Sequence, residues 1–258
     1  MLADAIRGLK RRGVDYADAR YEHLLHESLV VEDGRVQSIS LLESAGIGIR
    51  VLRRGSWGFA STSHVTPANL RRTVGRAIEL AAAASLLNKQ PRRLAPLEPL
   101  RARHASRCAI NPFDVPLSQK LDYLLWANRE LLGPSAVRQA TAHMDFYKRR
   151  KLFASTEGAQ IEQVLIESGA GLEVVVQRGG EVQTRSYPNS HSGALAQAGF
   201  EYVKALDLVG GAKRAQHEAL QLLRAEPPRA GETILVLDPT QVVMQLHESC
   251  GHPVELDR

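Results

Sequence analysis

A short segment near the end of the sequence contains the residue types that a catalytic zinc site uses. It reads His247-Glu248-Ser249-Cys250-Gly251-His252, which places two imidazoles and a carboxylate on one short stretch of chain. Neutral imidazole nitrogens bind zinc well, and catalytic zinc sites keep one coordination position open for a water molecule. A neighbouring glutamate can accept the proton that this water releases. We therefore predict that His247 and His252 bind a metal ion and that Glu248 is the catalytic base.

The spacing of the two histidines decides whether one helix can present both to a metal. In the common HExxH pattern they lie at i and i+4, which is about 40° around an ideal helix. His247 and His252 lie at i and i+5, and an ideal helix separates such positions by about 140°. Two distortions would bring them together. One is a helix end at Gly251, favoured by the freedom of glycine and by the restriction that Pro253 places on His252; the other is a single-turn π-bulge. The alternative is a helix end with two unrelated histidines facing solvent.

The sequence does not identify a third ligand. Cys250 follows His247 by three residues and could share its helix face, but three ligands in so short a segment would crowd one tetrahedral ion. The ordinary role of such a cysteine is that of a small buried apolar side chain. More distant candidates without distinguishing context are Cys108, His191, His217 and Glu255. The triplet His26-Glu27-Ser28 repeats the start of the motif in a strand-like segment without a second histidine, so we predict a structural role for it.

Composition and length are those of a globular protein. The chain has 258 residues, of which 44% are hydrophobic and 24% charged, and this length suits one large domain or two moderate ones. No apolar run approaches the roughly 18 residues of a membrane helix, and the first residues lack the apolar stretch of a signal peptide. The two cysteines do not suggest a disulfide framework. A cytoplasmic location without membrane association is therefore expected.

The charge pattern bears on nucleic-acid binding. The formal net charge is +5, but the basic residues fall into small separate clusters: Lys10-Arg11-Arg12, Arg53-Arg54, Arg71-Arg72, Arg92-Arg93 and Lys148-Arg149-Arg150-Lys151. No DNA- or RNA-binding motif accompanies them, and aromatic residues do not interleave with them as a stacking surface requires. We interpret the clusters as solvated surface and do not expect direct nucleic-acid binding.

The pattern of elements predicts an α+β fold with two α-then-antiparallel-β units. A helix over 2–12 precedes strands over 17–62, which turn at Asp33-Gly34 and Arg54-Gly55. Thr66 and Pro67 then begin a helix that extends to about residue 84. Beyond an irregular connector at 88–115, a helix from Ser118 to Leu132 precedes strands over 137–187, with turns at Glu157-Gly158 and Gly179-Gly180. Because strands and helices are segregated, a doubly wound parallel sheet is disfavoured.

The last part of the sequence predicts the element that carries the motif. Helices are expected again from Gly193 onward, most clearly over 212–223. The continuously apolar run Thr233–Leu237 predicts a short buried strand. Asp238 as N-cap and Pro239 at the first helical position begin the helix that reaches His247. We place a domain boundary in the Pro- and Gly-containing segment 226–232, so that 1–230 is an N-terminal domain and 231–258 is the start of a second one.

Several segments of the chain together resemble the TldD/PmbA family of metalloproteases, also described as modulators of DNA gyrase. In the first half they are Tyr16–Tyr21, Gly46–Val51 and Gly55–Thr62; in the second half they are Phe146–Arg149, Phe153–Gly158, Gly199–Val203 and Leu246–Arg258. The resemblance covers essentially the whole chain, and its final segment is the most specific. It is closer to the TldD-type subunit, which carries HExxxH, than to the PmbA-type subunit, which lacks it.

The resemblance implies a zinc-dependent metallopeptidase subunit that acts on unfolded or extended peptides. His247 and His252 match the two histidine ligands of Zn²⁺, and Glu248 matches the catalytic glutamate. Family members pair with a homologous TldD/PmbA-type subunit, so a hetero- or homodimer is implied. They also continue beyond the motif into a domain whose cysteine is the third zinc ligand. The resemblance therefore covers the N-terminal portion of the family only, and we expect the 258-residue chain alone to have an incomplete, inactive site.

Two functions of other classes remain as alternatives. The chain could be a non-catalytic module that binds a peptide or a partner, in which case it would not hold stoichiometric metal. It could also be a regulator associated with DNA gyrase, a reading that rests on the basic net charge and on the second description of the family. Salt-dependent binding to duplex DNA would distinguish this last alternative.

Overall fold

The described part of the chain is a mixed α and β structure built on one eight-stranded sheet, which confirms the predicted α+β class. The computed structural model describes residues 2–7 and 9–255, and of Arg11 it describes the backbone only. The sheet has the strand order β3-β2-β1-β5-β6-β4, and β7 and β8 also pair with β6. The strands are β1 Tyr16–Glu32, β2 Arg35–Arg53, β3 Ser56–Thr62, β4 Arg101–Ala105, β5 Val137–Ser155, β6 Gln160–Arg178, β7 Glu181–Tyr187 and β8 Ala194–Ala196.

Six α-helices accompany the sheet in the described residues. They are α1 Leu2–Ile6, α2 Pro67–Ser85, α3 Leu117–Arg129, α4 Phe200–Ala205, α5 Leu208–Leu222 and α6 Pro239–Leu246. Short 3₁₀ helices cover Leu9–Arg12, Pro112–Asp114 and His252–Val254. None of the described helices is long and apolar enough to cross a bilayer.

The chain divides into two compact units, each assembled from several stretches of sequence. The first consists of Met1–Glu27, Ser40–Cys108 and Phe146–Glu167, and the second of Ser28–Ile39, Ala109–Asp145 and Ser168–Arg258. Strands β1, β2, β5 and β6 therefore contribute residues to both units. The boundary that the sequence suggests between residues 230 and 231 stays a prediction.

Local turn chemistry forms the hairpins where the sequence predicts them. Asp33 and Gly34 have φ of 49° and 76°, and Arg54 and Gly55 have φ of 51° and 70°. Two consecutive residues at positive φ form the tight two-residue turn whose twist matches that of antiparallel strands. The second of these turns sets the register of β2 and β3, in which Val51 pairs with Gly58.

In the first unit, α2 packs against β3 through a face of small and branched residues. The Thr66 hydroxyl accepts a hydrogen bond from the backbone N–H of Asn69 at 3.2 Å, and Pro67 occupies the first helical position, as predicted. The buried side chains of this helix are Leu70, Thr73, Val74, Ala77, Ile78 and Ala81. They join a core with residues of α1 and of β2, among them Ile6, Ile47 and Val51.

In the second unit, a buried asparagine connects the first hairpin to β5. Asn128, at the end of α3, is fully buried, and its side-chain oxygen accepts a hydrogen bond from the N–H of Gly34 at 2.7 Å. Its side-chain nitrogen donates to the carbonyl of Ala140 at 2.8 Å. The carboxylate of Asp33 accepts from the N–H of Ala140 at 2.9 Å. These bonds fix the hairpin turn against β5 because they pair the N–H groups of Gly34 and Ala140.

A carboxylate in α4 has a similar bridging role in the second unit. Glu201 accepts hydrogen bonds from the N–H groups of Ala109, Ile110 and Gly199 at 2.9–3.0 Å. Desolvation raises its pKa, but these hydrogen bonds to the charged form outweigh that effect and lower the pKa to about 2. Ionised Glu201 therefore holds the start of segment 109–110 against the start of α4.

Two predictions about helix boundaries are wrong. The helix expected over 2–12 ends at Ile6, and a 3₁₀ helix occupies Leu9–Arg12; Gly8, between them, lies outside the described residues. Ser118 does not begin α3, which starts at Leu117 after Pro116 and has no side-chain cap. The fixed φ of proline orients the chain there without a capping side chain. This helix also ends at Arg129, before the predicted Leu132.

Three further differences concern strands. The connector at 88–115 contains β4, which pairs in parallel with β6, so the sheet is mixed. Ala194–Ala196, expected to be helical, pairs antiparallel with β6 as β8. The buried strand predicted at Thr233–Leu237 is wrong, because this segment pairs with no described strand and Ile234 is 91% exposed. No described residue after position 223 is buried, so nothing described covers the apolar run.

Candidate metal site on the last helix

Helix α6 begins with the cap that the sequence predicts. Asp238 is extended, with φ of −64° and ψ of 147°, and its carboxylate accepts a hydrogen bond from the N–H of Thr240 at 2.9 Å. Pro239 fills the first helical position, where its missing N–H leaves no hydrogen bond unmade. The side-chain nitrogen of Gln241 donates to the Ser190 hydroxyl at 2.9 Å, which ties the helix to the loop after β7.

The helix continues through the motif as a π-turn. Residues His247–Gly251 are π-helical, and the N–H of His252 donates to the carbonyl of His247, five residues back. Gly251 keeps helical dihedral angles, with φ of −66° and ψ of −62°, and His252 is also helical with φ of −62° and ψ of −39°. The predicted helix end at Gly251 is therefore wrong, and the predicted π-bulge is confirmed. A π-turn winds five residues into one hydrogen-bonded turn, so the fifth residue returns to the side of the first.

The π-turn brings the three residues of the motif together. One potential ligand atom from each of His247, Glu248 and His252 lies within 4.8 Å of the other two. The two imidazole rings meet edge to face, with centroids 4.4 Å apart and planes at 77°. His252 Nε2 is 3.9 Å from a carboxylate oxygen of Glu248. The donors are two imidazoles and a carboxylate, a set that suits a divalent transition metal.

The separation of these atoms is compatible with one bound ion. Two nitrogens that bind the same zinc ion at about 2.0–2.1 Å lie at most about 4.2 Å apart. His247 and Glu248 are exposed, so small rotations of their side chains reach this separation without displacing packed atoms. His252 is the more enclosed of the two histidines, with 23% of its side chain exposed.

Glu255 orients the ring of His252. Its carboxylate oxygen lies 2.9 Å from Nδ1 of His252, three residues earlier in the chain. An Nδ1–H that donates to a carboxylate leaves the lone pair on Nε2, which is the arrangement common around metal-bound histidines. The sequence indicates Glu255 only as a candidate ligand and does not single out this positioning contact. The i, i+3 spacing of the two residues is the signal that could have indicated it.

A third histidine or cysteine ligand is not found among the described residues. Cys250 is exposed and does not belong to the cluster, so its expected role as a small buried side chain is also wrong. His217 is exposed on α5, and the backbone N–H of His191 donates to the side chain of Asn189 at 2.9 Å. The ligand roles of His247 and His252 and the catalytic role of Glu248 stay predictions.

The second His-Glu-Ser triplet has the structural context that we expected. The ring of His26, in β1, stacks on the ring of Tyr147, in β5, with centroids 4.1 Å apart and planes at 7°. Stacked aromatic contacts of this kind stabilise neighbouring strands. No other group of three potential metal-binding side chains occurs in the described residues.

Comparisons with known proteins agree on one family. Residues 17–81 match the family model described as PmbA/TldA metallopeptidase domain 1. A protein of Methanothermobacter thermautotrophicus named metalloprotease is 28% identical over 95% of this chain and 51% of its own length. A Buchnera aphidicola protein named metalloprotease TldD homolog is 25% identical over 98% of this chain and 52% of its own length. The chain thus spans about half the length of the curated relatives it matches.

Solved structures share the fold. A Thermotoga maritima protein described as a candidate modulator of a DNA gyrase superposes with a TM-score of 0.67, at 16% identity over 88% of this chain and 49% of that chain. TldE from Thermococcus kodakarensis superposes with a TM-score of 0.60, at 17% identity over 84% of this chain and 47% of that chain. Residues 17–81 thus match the first domain of the PmbA/TldA metallopeptidases, the curated relatives are named metalloproteases, and the solved structures have the same fold as this chain.

Proposed function

We propose that the chain is the N-terminal portion of a zinc-dependent peptidase subunit and carries the first half of its metal site. The observation that carries the proposal is the π-turn at His247–Gly251, which brings two imidazoles and a carboxylate within 4.8 Å of one another. Packing within the described residues does not account for this geometry, because these residues bury no side chain of α6 or of the π-turn. π-turns inside helices are frequent at functional sites.

Each residue of the cluster has a distinct role in this proposal. His252, with Nδ1 held by Glu255, presents Nε2 as one ligand, and His247 presents the second. Among the described residues the carboxylate of Glu248 has one charged neighbour, His252, so it would be available to accept a proton from a metal-bound water. A zinc ion held here would act as a Lewis acid and lower the pKa of that water.

The resemblance to this family also suggests a substrate and a partner. We propose unfolded or extended peptides as substrates and a homologous TldD/PmbA-type subunit as partner, in a homo- or heterodimer. A further cysteine ligand from residues beyond those of the 258-residue sequence would complete the site. Reading the gene beyond codon 258 determines whether such residues exist in the same product.

Zinc affinity tests the ligand roles. We expect the chain to take up zinc in competition with a chromophoric chelator, and we expect His247→Ala and His252→Ala to weaken binding strongly. His217→Ala is the matched control, because His217 is an exposed histidine of the same unit outside the cluster. Equal affinity of all three variants and the unchanged chain would contradict the assignment.

Hydrolysis tests the role of the glutamate. In the full-length gene product, Glu248→Gln should keep zinc, because both imidazoles remain, and should lose cleavage of an unstructured peptide by a factor of about 10²–10⁴. Loss of zinc together with activity would instead assign Glu248 to the ligand set. Unchanged turnover would refute its role as the base.

A further inference from the structure

Three arginines from two distant stretches of the sequence line one cavity of the first unit. The cavity has a volume of about 590 Å³, and its wall includes Arg54 from the β2–β3 turn and Arg92 and Arg93 from the connector after α2. The remaining wall residues are Asp15, Tyr16, Leu52, Gly55, Pro91, Leu94 and Glu157. The sequence alone suggests that Arg53-Arg54 and Arg92-Arg93 are separate solvated clusters. The fold places Arg54 beside Arg92 and Arg93 at one cavity.

Backbone contacts fix the connector against the turn. The N–H of Arg92 donates to the carbonyl of Gly55 at 2.8 Å, and the side-chain nitrogen of Asn88 donates to the same carbonyl at 2.9 Å. Gly55 is also a close-approach position, because a Cβ there would lie 2.5 Å from Cβ of Pro91. The arginines are therefore brought to one place by an anchored backbone, and Arg54 itself is held at positive φ by the turn.

The three guanidinium groups have no partner among the described residues. In the part of the chain that the structure describes, none of Arg54, Arg92 and Arg93 has a side-chain hydrogen bond, ion pair or ring contact. The carboxylate of Asp15 accepts a hydrogen bond from the N–H of Gly55 at 3.2 Å. Like charges around one cavity repel, and a bound anion would remove that repulsion.

The rest of the wall neutralises the arginines only in part. Burial, followed by the charge of neighbouring Asp18, raises the pKa of Tyr16 to about 12, so its phenol is uncharged at neutral pH. The ionised groups that line the cavity are therefore three guanidinium groups against the carboxylates of Asp15 and Glu157. The balance is one net positive charge.

We propose that this cavity binds a small molecule that carries a phosphoryl group. Guanidinium groups hydrogen-bond phosphate oxygens through paired donors. A tetrahedral phosphate has three free oxygens that can face three separate arginines, whereas a carboxylate has two oxygens in one plane. The volume lies within the range of about 300–1,000 Å³ of small-molecule sites. The site lies in the first unit and does not depend on the proposed peptidase function.

Calorimetric titration of the full chain with pyrophosphate at low ionic strength tests this proposal. We expect one site per chain. Arg92→Gln with Arg93→Gln should weaken binding by about a hundredfold, because each hydrogen bond to a charged group is worth about tenfold or more in affinity. Arg54→Asn should weaken it by about tenfold, and asparagine tolerates the positive φ of this position. The two variants alter different segments, so a folding defect in one leaves the other as a test.

The matched control is Arg35→Gln with Arg71→Gln, which removes the same charge from two exposed arginines outside the cavity. We expect this control to bind pyrophosphate as the unchanged chain does. Absence of binding by the unchanged chain, or an equal loss in the control, would overturn the proposal. Citrate provides the carboxylate comparison, and binding of citrate as tight as that of pyrophosphate would overturn the assignment to a phosphoryl group.

Discussion

Gly58 marks the closest approach of β3 to α2 and provides a quantitative test of the packing of the first unit. A Cβ at this position would lie 2.2 Å from the carbonyl oxygen of Ala77 and 2.4 Å from the amide nitrogen of Ala81. Non-bonded carbon atoms pack at about 3.5–4.0 Å, so Gly58→Ala requires the strand and the helix to separate by about 1 Å. Ala77 and Ala81 are both fully buried.

The expected destabilisation is large for the addition of a single methyl group. Overpacking typically costs about 1–3 kcal/mol, and we expect about 3 kcal/mol because backbone atoms cannot rotate away as side chains can. For a protein of this size, such a change lowers the melting temperature by roughly 6–12 °C. Circular dichroism melting and urea unfolding of the purified chain would measure both quantities.

The control is a second glycine-to-alanine change, on α2 itself. A Cβ at Gly75 would meet nothing within 4 Å. Because alanine is a better helix former than glycine by up to about 1 kcal/mol, Gly75→Ala should raise the melting temperature slightly. If Gly58→Ala melts at or above the temperature of the unchanged chain, the close packing of β3 on α2 is wrong.

Three further predictions concern the second unit. Asn128→Ala removes the acceptor of the Gly34 N–H and one of the donors to the carbonyl of Ala140, so it should lower the free energy of unfolding by roughly 1–3 kcal/mol in urea. The control Asn69→Ala, in the first unit, removes only an exposed hydrogen bond to the carbonyl of His64 and should change this free energy little. Because the pKa of Glu201 is lowered to about 2, the stability that it contributes is present above the unfolded pKa of about 4.3 and is lost as the pH falls toward 2. Glu201→Gln should therefore flatten the pH dependence of the melting temperature in this window, and an unaltered slope would refute the assignment. Glu255→Gln should weaken zinc binding by about 10–100-fold through the orientation of His252, and an unchanged affinity would remove its positioning role.

Features that depend on a few neighbouring residues could be predicted from the sequence. The turns at Asp33-Gly34 and Arg54-Gly55, and the caps Thr66 and Asp238, were located correctly. Each depends on local chemistry. The turns need positive φ at two consecutive residues, and the caps need a side-chain oxygen that accepts a hydrogen bond from an unpaired N–H at the start of a helix. The α+β class followed from the order of these elements.

Features that depend on distant partners could not be predicted. Strand β4, Arg101–Ala105, has no alternation of apolar residues, and only its parallel pairing with β6 makes it a strand. The run Thr233–Leu237 has the pattern of a buried strand but lacks a pairing partner in the described residues. The joining of Arg54 to Arg92 and Arg93 depends on a connector whose path the sequence does not reveal.

The candidate site was predicted in part. Its residue types and the π-bulge could be anticipated, because the i, i+5 spacing excludes an ideal helix. The i, i+3 spacing of His252 and Glu255 permits their contact, but the contact also requires the 3₁₀ turn that follows the π-turn.

The π-turn also has an evolutionary meaning, because it amounts to one extra residue in an otherwise α-helical path. Removal of Ser249 or Cys250 would leave the histidines at i and i+4, which an ordinary helix places about 40° apart on one face. The two imidazoles would then still converge, without a π-turn. The geometry of the pair is thus compatible with two lengths of motif, provided that the helix changes its winding with the length. A sequence search that requires a fixed number of residues between the two histidines would place in different classes two sites that differ by one inserted or deleted residue.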